Sequence, residues 1–320
     1  MIEKIYKFNY QDINIQIENG IINENWQFLE KDKRHIIITD TNVSSIYKKV
    51  LNSVPNGIAI LSLKPGEQIK SIATYEKIIK NLISLNVTKK DVIIAFGGGN
   101  IQELSSFVAC TFLNGLELIQ IPTTIISQIN SSIIGNAKLT INGLNTLGTN
   151  YFSKKTLIDP SFIKSLPKKE IQNGIIEIIK LGLIKDNDIL QNIIENKIDN
   201  NDSHYIHNIE KCLNINYALS SKKEYQNGEQ SILNFGNFYF SKINQLTKNK
   251  LSYFETKAIS IYFETKENLR DKLLRIYECY FDIIKITNFI SIIEKNLNSS
   301  NESSNIELVK FGYAKINKNN

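Results

Sequence analysis

Short apolar segments alternate with amphipathic segments along the first half of the chain. Residues 35–40 and 92–96 form largely apolar runs, which are typical of strands buried on both faces, whereas residues 13–17 alternate as a half-buried strand does. Segments with helical spacing separate the runs, most clearly over residues 69–85. Another helix is predicted to begin at Asn42. The alternation predicts an α/β fold, with a mostly parallel sheet covered by helices on both faces. The predicted strands are residues 13–17, 35–40, 57–63, 92–96 and 116–121.

The pattern becomes helical after residue 159. Apolar positions three or four residues apart predict a series of helices, followed by a polar loop or disordered segment and a last strand. We therefore predict an α/β nucleotide-binding domain over residues 1–159 and a domain over residues 160–320 that is all-helical apart from that strand. The helical stretches are residues 170–197, 204–223, 237–248 and 254–294, the polar segment is 298–305, and the strand is 307–316.

Composition places the chain among globular proteins. Of its 320 residues, 42% are hydrophobic and 22% are charged, and no apolar run reaches the roughly 18 residues that a membrane span needs. The first residues lack the apolar core of a signal peptide, so we expect a cytoplasmic protein. The net charge of +6 comes from lysines scattered through an Asn- and Ile-rich sequence, which argues against nucleic-acid binding. Cys110, Cys212 and Cys279 are widely spaced, and we interpret them as reduced core thiols.

Three consecutive glycines follow the apolar run at residues 92–96. Residues 97–99 lead into a helical pattern over 101–111, a combination typical of a strand, a tight turn and a helix N-terminus. Backbone N–H groups at such turns bind pyrophosphate, although turns of this kind also occur without any nucleotide. In a parallel sheet, the loops after the neighbouring strands, at Asp40 and Thr123, would lie at the same edge.

A series of motifs gives more specific information, because it occurs in a fixed order. The main members are Asp40-x-Asn42-Val, Pro65-Gly-Glu-x-x-Lys-Ser71, Gln120-Ile-Pro-Thr-Thr124, Gly174-x-x-Glu177-x-x-Lys180 and Leu233-Asn-Phe-Gly236. The series resembles the 3-dehydroquinate synthase family of sugar-phosphate cyclases over residues 36–261. So many ordered matches favour common descent over chance.

The resemblance implies an N-terminal nucleotide-binding domain, a helical C-terminal domain and a homodimer. The family's reaction uses tightly held NAD and a divalent metal ion, normally zinc. A hydroxyl of a heptulosonate phosphate is transiently oxidised, phosphate is eliminated, the ketone is reduced again, and the opened ring closes by an aldol step. The product belongs to the shikimate pathway of aromatic amino acid biosynthesis.

The family positions that contact NAD are mostly kept in this chain. Their residue types suit the task, because backbone donors bind phosphate and polar side chains bind ribose hydroxyls. The same residues also suit turns and helix caps, so retention for folding alone stays open at this point. From the adenosine end to the nicotinamide half, the implied contacts are Asp40, Asn42, Glu67, Lys70, Gly97, Gly98, Gly99, Thr123 and Thr124.

The metal site that the resemblance implies is incomplete. Family members hold the ion with one Glu and two His, and Glu177 occupies the carboxylate position. Asn237 stands at the first His ligand and Ser241 at a catalytic His. The second His ligand aligns within one residue of 253–255, where the chain reads Tyr-Phe-Glu. Losing two of three ligands lowers metal affinity severely, so we expect that neither zinc nor cobalt binds.

Most of the family's charged substrate anchors are replaced as well. Amide side chains lack the charge that strengthens hydrogen bonds to phosphate and carboxylate groups. Of the catalytic set, Lys180, Asn145 and Asn234 remain with Glu177, and Glu177 and Lys180 are equally suited to an i, i+3 ion pair on a helix. The replaced positions are Asn114, Asn130, Asn136, Leu144, Asn216 and Gln230.

Three hypotheses remain open. The leading one is a diverged family member that binds NAD and has impaired or absent cyclase chemistry. The second is an active cyclase with rebuilt metal ligands, for which His204 and His207 share one helix face, although such polar stretches are usually solvent-exposed. The third is a non-catalytic scaffold or partner subunit. Aromatic side chains near the lost catalytic His would fill its surroundings, and these are Phe238, Tyr239 and Phe240.

Overall fold

A sheet of parallel and antiparallel strands forms the centre of the N-terminal half of the computed structural model. The structure describes residues 1–8, 11–141, 144–198, 202–220, 229–297 and 304–316. It divides into one unit of residues 1–166 and another of residues 167–320, where the sequence pattern placed the boundary at residue 159. The strands of the first unit are β1 (Ile2–Lys7), β2 (Asp12–Ile17), β3 (His35–Asp40), β4 (Gly57–Leu63), β5 (Val92–Gly97), β6 (Glu117–Pro122), β7 (Asn136–Ile141), β8 (Leu144–Asn150) and β9 (Lys155–Ile158).

Seven of these strands make up the sheet, in the order β1-β2-β9-β6-β5-β3-β4. β1 and β2 pair antiparallel, and the other neighbours in this described sheet pair parallel. β7 and β8 form a separate antiparallel pair. The predicted mostly parallel sheet is therefore confirmed. The helices of the first unit are α1 (Thr41–Ile46), α2 (Lys48–Asn52), α3 (Ile72–Ser84), α4 (Gly99–Thr111) and α5 (Ser132–Ile134).

The central strands are buried on both faces, as their apolar runs predict. Every residue of β3 and of β5 is buried. Ile36 belongs to a core cluster with Leu104 of α4, whereas Ile37 belongs to a second cluster that contains Trp26. Because successive side chains of a strand point to opposite faces, the same strands supply both cores. Each such fully buried side chain stabilises the fold by about 1.5–3 kcal/mol.

The five predicted strands are present, each within one residue of its predicted ends. Four others were not predicted. β1 has charged residues at three of its six positions and buries only Tyr6, β9 has four residues, and β7 and β8 pair outside the main sheet. The helix predicted over 69–85 begins at Ile72, because the Ser71 hydroxyl accepts a hydrogen bond from the Thr74 amide and caps it.

Helices and one short hairpin make up the second unit. Their bounds are α6 (Lys168–Lys185), α7 (Asn187–Glu195), α8 (Asp202–Ser220), α9 (Phe240–Leu246), α10 (Tyr253–Glu264), α11 (Glu267–Glu278), α12 (Ile283–Leu297), β10 (Ile306–Lys310) and β11 (Tyr313–Ile316). Asp186 divides the stretch predicted as one helix over 170–197, because its extended backbone ends α6 and its side chain caps α7. The strand predicted over 307–316 is a hairpin that turns at Gly312, whose φ of +85° favours glycine.

Some predicted features fall outside the description or need correction. Residues 221–223 of one predicted helix and 298–303 of the polar segment lie outside the described residues. Cys212 is buried, whereas Cys110 and Cys279 are partly exposed near the C-terminal ends of their helices. The interpretation as a core thiol therefore holds for Cys212 and was wrong for the other two. Among the helices that the structure describes, none combines the length and apolar content needed to cross a membrane.

The side chain of Gln102 fixes the glycine turn after β5 against β6. Gln102 is buried, and its Nε2 donates to the carbonyl oxygens of Ala95 at 3.0 Å, Gly97 at 2.9 Å and Ile121 at 3.1 Å. One amide group thereby joins the ends of two strands to the first turn of α4. This contact holds the turn in place from within the protein.

Replacing Gln102 with Leu should lower the free energy of unfolding by about 2 kcal/mol, because buried carbonyl groups lose their donor. Urea unfolding followed by the fluorescence of Trp26, the one tryptophan of the sequence, measures the loss. Gln68→Leu is the control, since Gln68 is exposed and bonds the carbonyl of Pro65 in its own turn. Equal losses in the two variants would contradict the role given to Gln102.

Candidate functional site

Loops after three neighbouring parallel strands bring several of the predicted NAD positions together. β3 ends at Asp40, β5 at Gly97 and β6 at Pro122, and β5 lies between the other two. Gly97 pairs in register with Pro122, and the amide of Thr123 donates to the Gly97 carbonyl at 3.1 Å. Asp40, the glycine turn and Thr123 therefore lie at one edge of the sheet, as the topology predicts.

The glycine turn is closely packed at two of its positions. A Cβ on Gly97 would lie 2.8 Å from side-chain atoms of Ile101, and one on Gly98 would lie 3.1 Å from the methyl group of Thr124. Gly98 is the N-cap of α4, and the residues of the first turn, 99–102, are uncharged. Helix N–H groups and the helix dipole favour an anion at such a terminus. The turn is therefore suited to a phosphate group.

Asp40 has a structural task of its own. Its Oδ1 accepts hydrogen bonds from the amides of Asn42 at 2.9 Å and Val43 at 3.0 Å, which makes it the N-cap of α1. Such a cap stabilises a helix by about 1 kcal/mol. Asn42 is exposed on the first turn of α1. The sequence left open whether these residues are kept for folding alone. For Asp40, the capping of α1 is sufficient to explain why the carboxylate is kept.

Lys70 and Glu67 lie close together at the turn after β4. The Lys70 ammonium lies 2.9 Å from Oε2 of Glu103 on α4 and 3.6 Å from Oε1 of Glu67. The Lys70 side chain is only 4% exposed, whereas that of Glu67 is 64% exposed. Glu103, which sequence reasoning missed, thus fixes Lys70, while Glu67 keeps its carboxylate in solvent.

In the second unit, Glu177 is the centre of a buried polar cluster. It lies on α6, and its Oε2 accepts from the ammonium of Lys180 at 2.6 Å, which confirms the i, i+3 pair that the sequence allowed. Its Oε1 accepts from the hydroxyl of Tyr253 on α10 at 2.8 Å. Tyr253 is therefore the residue of the 253–255 stretch that meets Glu177. Both carboxylate oxygens of Glu177 are bound by protein donors.

Lys257 is a second ammonium group in the same cluster, and sequence reasoning missed it. Its side chain is 2% exposed, its Nζ lies 4.0 Å from Oε1 of Glu177, and it donates to Oδ1 of Asn237. The available signal was a lysine one helical turn after Tyr253 within the apolar pattern of α10. The family motifs do not include this position, so they did not identify Lys257 as a site residue.

The charges in this cluster are strongly coupled. Burial opposes ionisation of Glu177, but the ammonium groups of Lys180 and Lys257 and the hydrogen bonds of Lys180 and Tyr253 lower the pKa of its carboxyl to about 2. Burial lowers the pKa of Lys257 to about 8, although the Glu177 carboxylate acts in the opposite direction. Burial and the same carboxylate raise the pKa of the Tyr253 hydroxyl, so it stays a proton donor.

These residues do not fit a divalent metal ion. Catalytic zinc needs three protein ligands that offer lone pairs. Here the lone pairs of Glu177 accept from Lys180 and Tyr253, the Tyr253 hydroxyl keeps its proton, and the Asn237 oxygen accepts from Lys257. Elsewhere in the described part of the chain, no group of three His, Cys, Asp or Glu side chains is arranged to hold an ion.

The other two predicted catalytic residues belong to different units of the chain. Asn234 lines a cavity of about 470 Å³ together with Asn237 and Phe238, and is not among the partners of Glu177 given by the described hydrogen bonds. Asn145 belongs to β8, and its side chain lies outside what the structure describes. The predicted catalytic set of Lys180, Asn145 and Asn234 therefore stays a prediction.

Phe240, one of the three aromatic residues just before Ser241, packs against the cluster. Its ring lies against that of Tyr253, with centroids 5.5 Å apart. Phe238 is 42% exposed and lines the cavity that also contains Asn234. His207 is exposed on α8, and the side chain of His204 lies outside the described residues.

Comparison with known proteins agrees with the motif order. The family model for the 3-dehydroquinate synthase N-terminal region matches residues 60–173, and that for the C-terminal region matches residues 174–291. The 3-dehydroquinate synthase of Clostridium kluyveri is 35% identical over 274 residues, which cover 82% of this chain and 74% of the relative. That of Clostridium botulinum is 32% identical over 330 residues, with 93% of each chain covered.

The fold also has a close counterpart among solved structures. The crystal structure of 2-deoxy-scyllo-inosose synthase complexed with carbaglucose-6-phosphate, NAD⁺ and Co²⁺ superposes with a TM-score of 0.79 and 18% identity, covering 98% of this chain and 94% of that one. At this identity the likeness concerns the fold alone. Together with the family matches along both units, it means that this chain belongs to the 3-dehydroquinate synthase family.

Proposed function

We propose that this chain is an NAD-binding member of the 3-dehydroquinate synthase family in which the metal-dependent cyclase reaction is impaired or lost. The observation that carries the proposal is the state of Glu177, the one family metal ligand that remains. Both of its oxygens are bound by Lys180 and Tyr253, and a second ammonium, that of Lys257, lies beside it. The carboxylate is therefore used for internal charge balance.

NAD binding is supported by the part of the site that depends on backbone. The glycine turn, its N-cap and the Thr123 amide are arranged by sheet register and by packing, independently of any charged side chain. The related 2-deoxy-scyllo-inosose synthase is solved with NAD⁺. We therefore assign the cofactor to the edge formed by β3, β5 and β6.

Loss of catalysis is supported by the substrate anchors as well as by the metal site. Asn114 is an exposed amide with a left-handed backbone (φ +59°), and Asn216 is an amide that is only 1% exposed. Neither can offer a phosphate or carboxylate group the charge-assisted hydrogen bond of a lysine or arginine. An active cyclase with rebuilt metal ligands would need donors that the described residues do not group together.

A charge introduced at the glycine turn tests the NAD site. Gly99→Asp should weaken NAD⁺ binding at least about 10-fold relative to Gly99→Asn, because the carboxylate repels the pyrophosphate while the amide has nearly the same shape. A Cβ at Gly99 meets Ser131 Oγ at an ordinary 3.6 Å, so both variants are expected to fold. Isothermal titration calorimetry with NAD⁺ gives the affinities. Equal affinities for the two variants, or no binding by the parent chain, would refute the site.

Loss of the cyclase reaction is tested directly by turnover. With the heptulosonate phosphate substrate, NAD⁺ and Zn²⁺ or Co²⁺, phosphate release should be at least about 1,000-fold below the typical enzymatic rate of about 10 s⁻¹. The synthase of C. kluyveri, assayed in parallel, is the positive control. Phosphate release at a rate near that of the control would show that the chain is an active synthase. Elemental analysis would then find the metal.

Replacement of Glu177 distinguishes a structural carboxylate from a catalytic one. Glu177→Gln should lower the free energy of unfolding by about 3–5 kcal/mol, because two buried ammonium groups lose their counter-charge. Glu195→Gln, at an exposed position of the neighbouring helix α7, should change it by less than about 0.5 kcal/mol. Urea unfolding followed by circular dichroism measures both. A neutral or stabilising effect of Glu177→Gln would indicate a strained functional group instead.

A further inference from the structure

Three positions at which the family supplies metal ligands lie around one side chain of this chain. Those positions are Glu177 on α6, Asn237 before α9 and the stretch 253–255, of which Tyr253 on α10 meets Glu177. The side chain between them is Lys257, whose Nζ lies 4.0 Å from Oε1 of Glu177 and donates to Oδ1 of Asn237. Tyr253 donates to the same Oε1 of Glu177 at 2.8 Å. The ammonium of Lys257 thus contacts, or directly adjoins, the groups that replace an ion's ligands.

Local structure holds the Lys257 side chain in this position. Lys257 follows Tyr253 by one turn of α10, so the two residues share a face of the helix. Gly236 lies next to the lysine stem with a φ of +79°, and a Cβ there would lie 3.2 Å from Cε of Lys257 and would clash with Ile261. The absence of a side chain at Gly236 leaves the space that the lysine stem fills. The ammonium is therefore placed by packing and not only by charge.

We propose that the ammonium group of Lys257 takes the place of the family's divalent ion, so that this unit carries the cation of the site on its own chain. A buried carboxylate requires a nearby positive charge, and the hydrogen bond of Lys180 goes to Oε2 of Glu177. Lys257 supplies positive charge on the side of Oε1, where Asn237 and Tyr253 also lie. A divalent ion placed there would meet a like charge and three groups that already have partners.

This inference concerns the group that holds the cation position and stands whether or not the chain turns over a substrate. It also explains why two ligand positions are occupied by an amide and a phenol. Asn237 offers a carbonyl oxygen, which accepts from an ammonium, and Tyr253 offers a hydroxyl, which donates to a carboxylate. Both groups complement a lysine–glutamate pair, whereas two neutral imidazoles complement a metal.

Reconstitution of the metal site tests the proposal with Co²⁺ alone as the probe. Two variants of the full chain carry Asn237→His and Tyr253→His, one with Lys257 retained and one with Lys257→Met added. If the ammonium fills the cation position, the variant with Lys257→Met should bind Co²⁺ at least about 100-fold more tightly than the variant that retains Lys257. Visible absorption of tetrahedral Co²⁺ reports the binding. Activity is not needed for this readout.

The matched control adds Lys180→Met to the same two histidine substitutions. It removes an equal charge from the same carboxylate, but from Oε2, so Co²⁺ binding should stay as weak as when Lys257 is retained. Thermal unfolding with and without Co²⁺ gives a second measurement, since the ion should raise the midpoint of the Lys257→Met variant alone. The proposal would be overturned by equal Co²⁺ affinity with and without Lys257, or by tight Co²⁺ binding in the control. It would also be overturned if the Lys257→Met variant bound no Co²⁺ and did not fold when Co²⁺ was added.

Discussion

An ionised carboxylate inside a protein needs compensating charge, and this requirement governs the second unit. Glu177 is 2% exposed and lies in a helix whose neighbouring residues are almost all apolar. The requirement is met by hydrogen bonds from Lys180 and Tyr253 and by the nearby ammonium group of Lys257. Because an unpaired charge at this depth destabilises a protein by several kcal/mol, the cluster ties α6 to α10 and restricts what the site is able to bind.

The two units differ in how their sites depend on sequence. In the first unit, the glycine turn presents backbone N–H groups, and sheet register and Gln102 hold it in position. Many substitutions nearby leave such a site intact, because every residue except proline carries an amide hydrogen. In the second unit, the site depends on side chains, and a single replacement such as that at Asn237 changes its chemistry. This difference is consistent with the proposed function, in which the nucleotide site is kept and the metal site is changed.

The sequence predicted regular, continuous features well and local interruptions poorly. β3 and β5 were predicted because their apolar runs are buried on both faces. The break at Asp186 was not, since one extended residue barely alters the helical periodicity around it. At the site, the family motifs identified Glu177 and Lys180, but Lys257 matches no motif, and its position beside Glu177 follows from the packing of α6 against α10. Its role depends on contacts with Glu177 and Asn237, which are too distant in sequence for a local pattern to record.

Loss of the histidines and placement of Lys257 are physically coupled. An ammonium beside Oε1 of Glu177 repels a divalent ion, whereas removal of the ion without Lys257 leaves one side of the buried carboxylate without a cation. Loss of the histidines alone, or placement of Lys257 alone, is therefore unfavourable. The two changes together form a second stable arrangement of the same backbone. Gly236 is compatible with both arrangements, because it leaves space without contributing a functional group. The proposal for Lys257 thus gives a site of this kind two discrete solutions, an ion held by imidazoles or a lysine held by an amide.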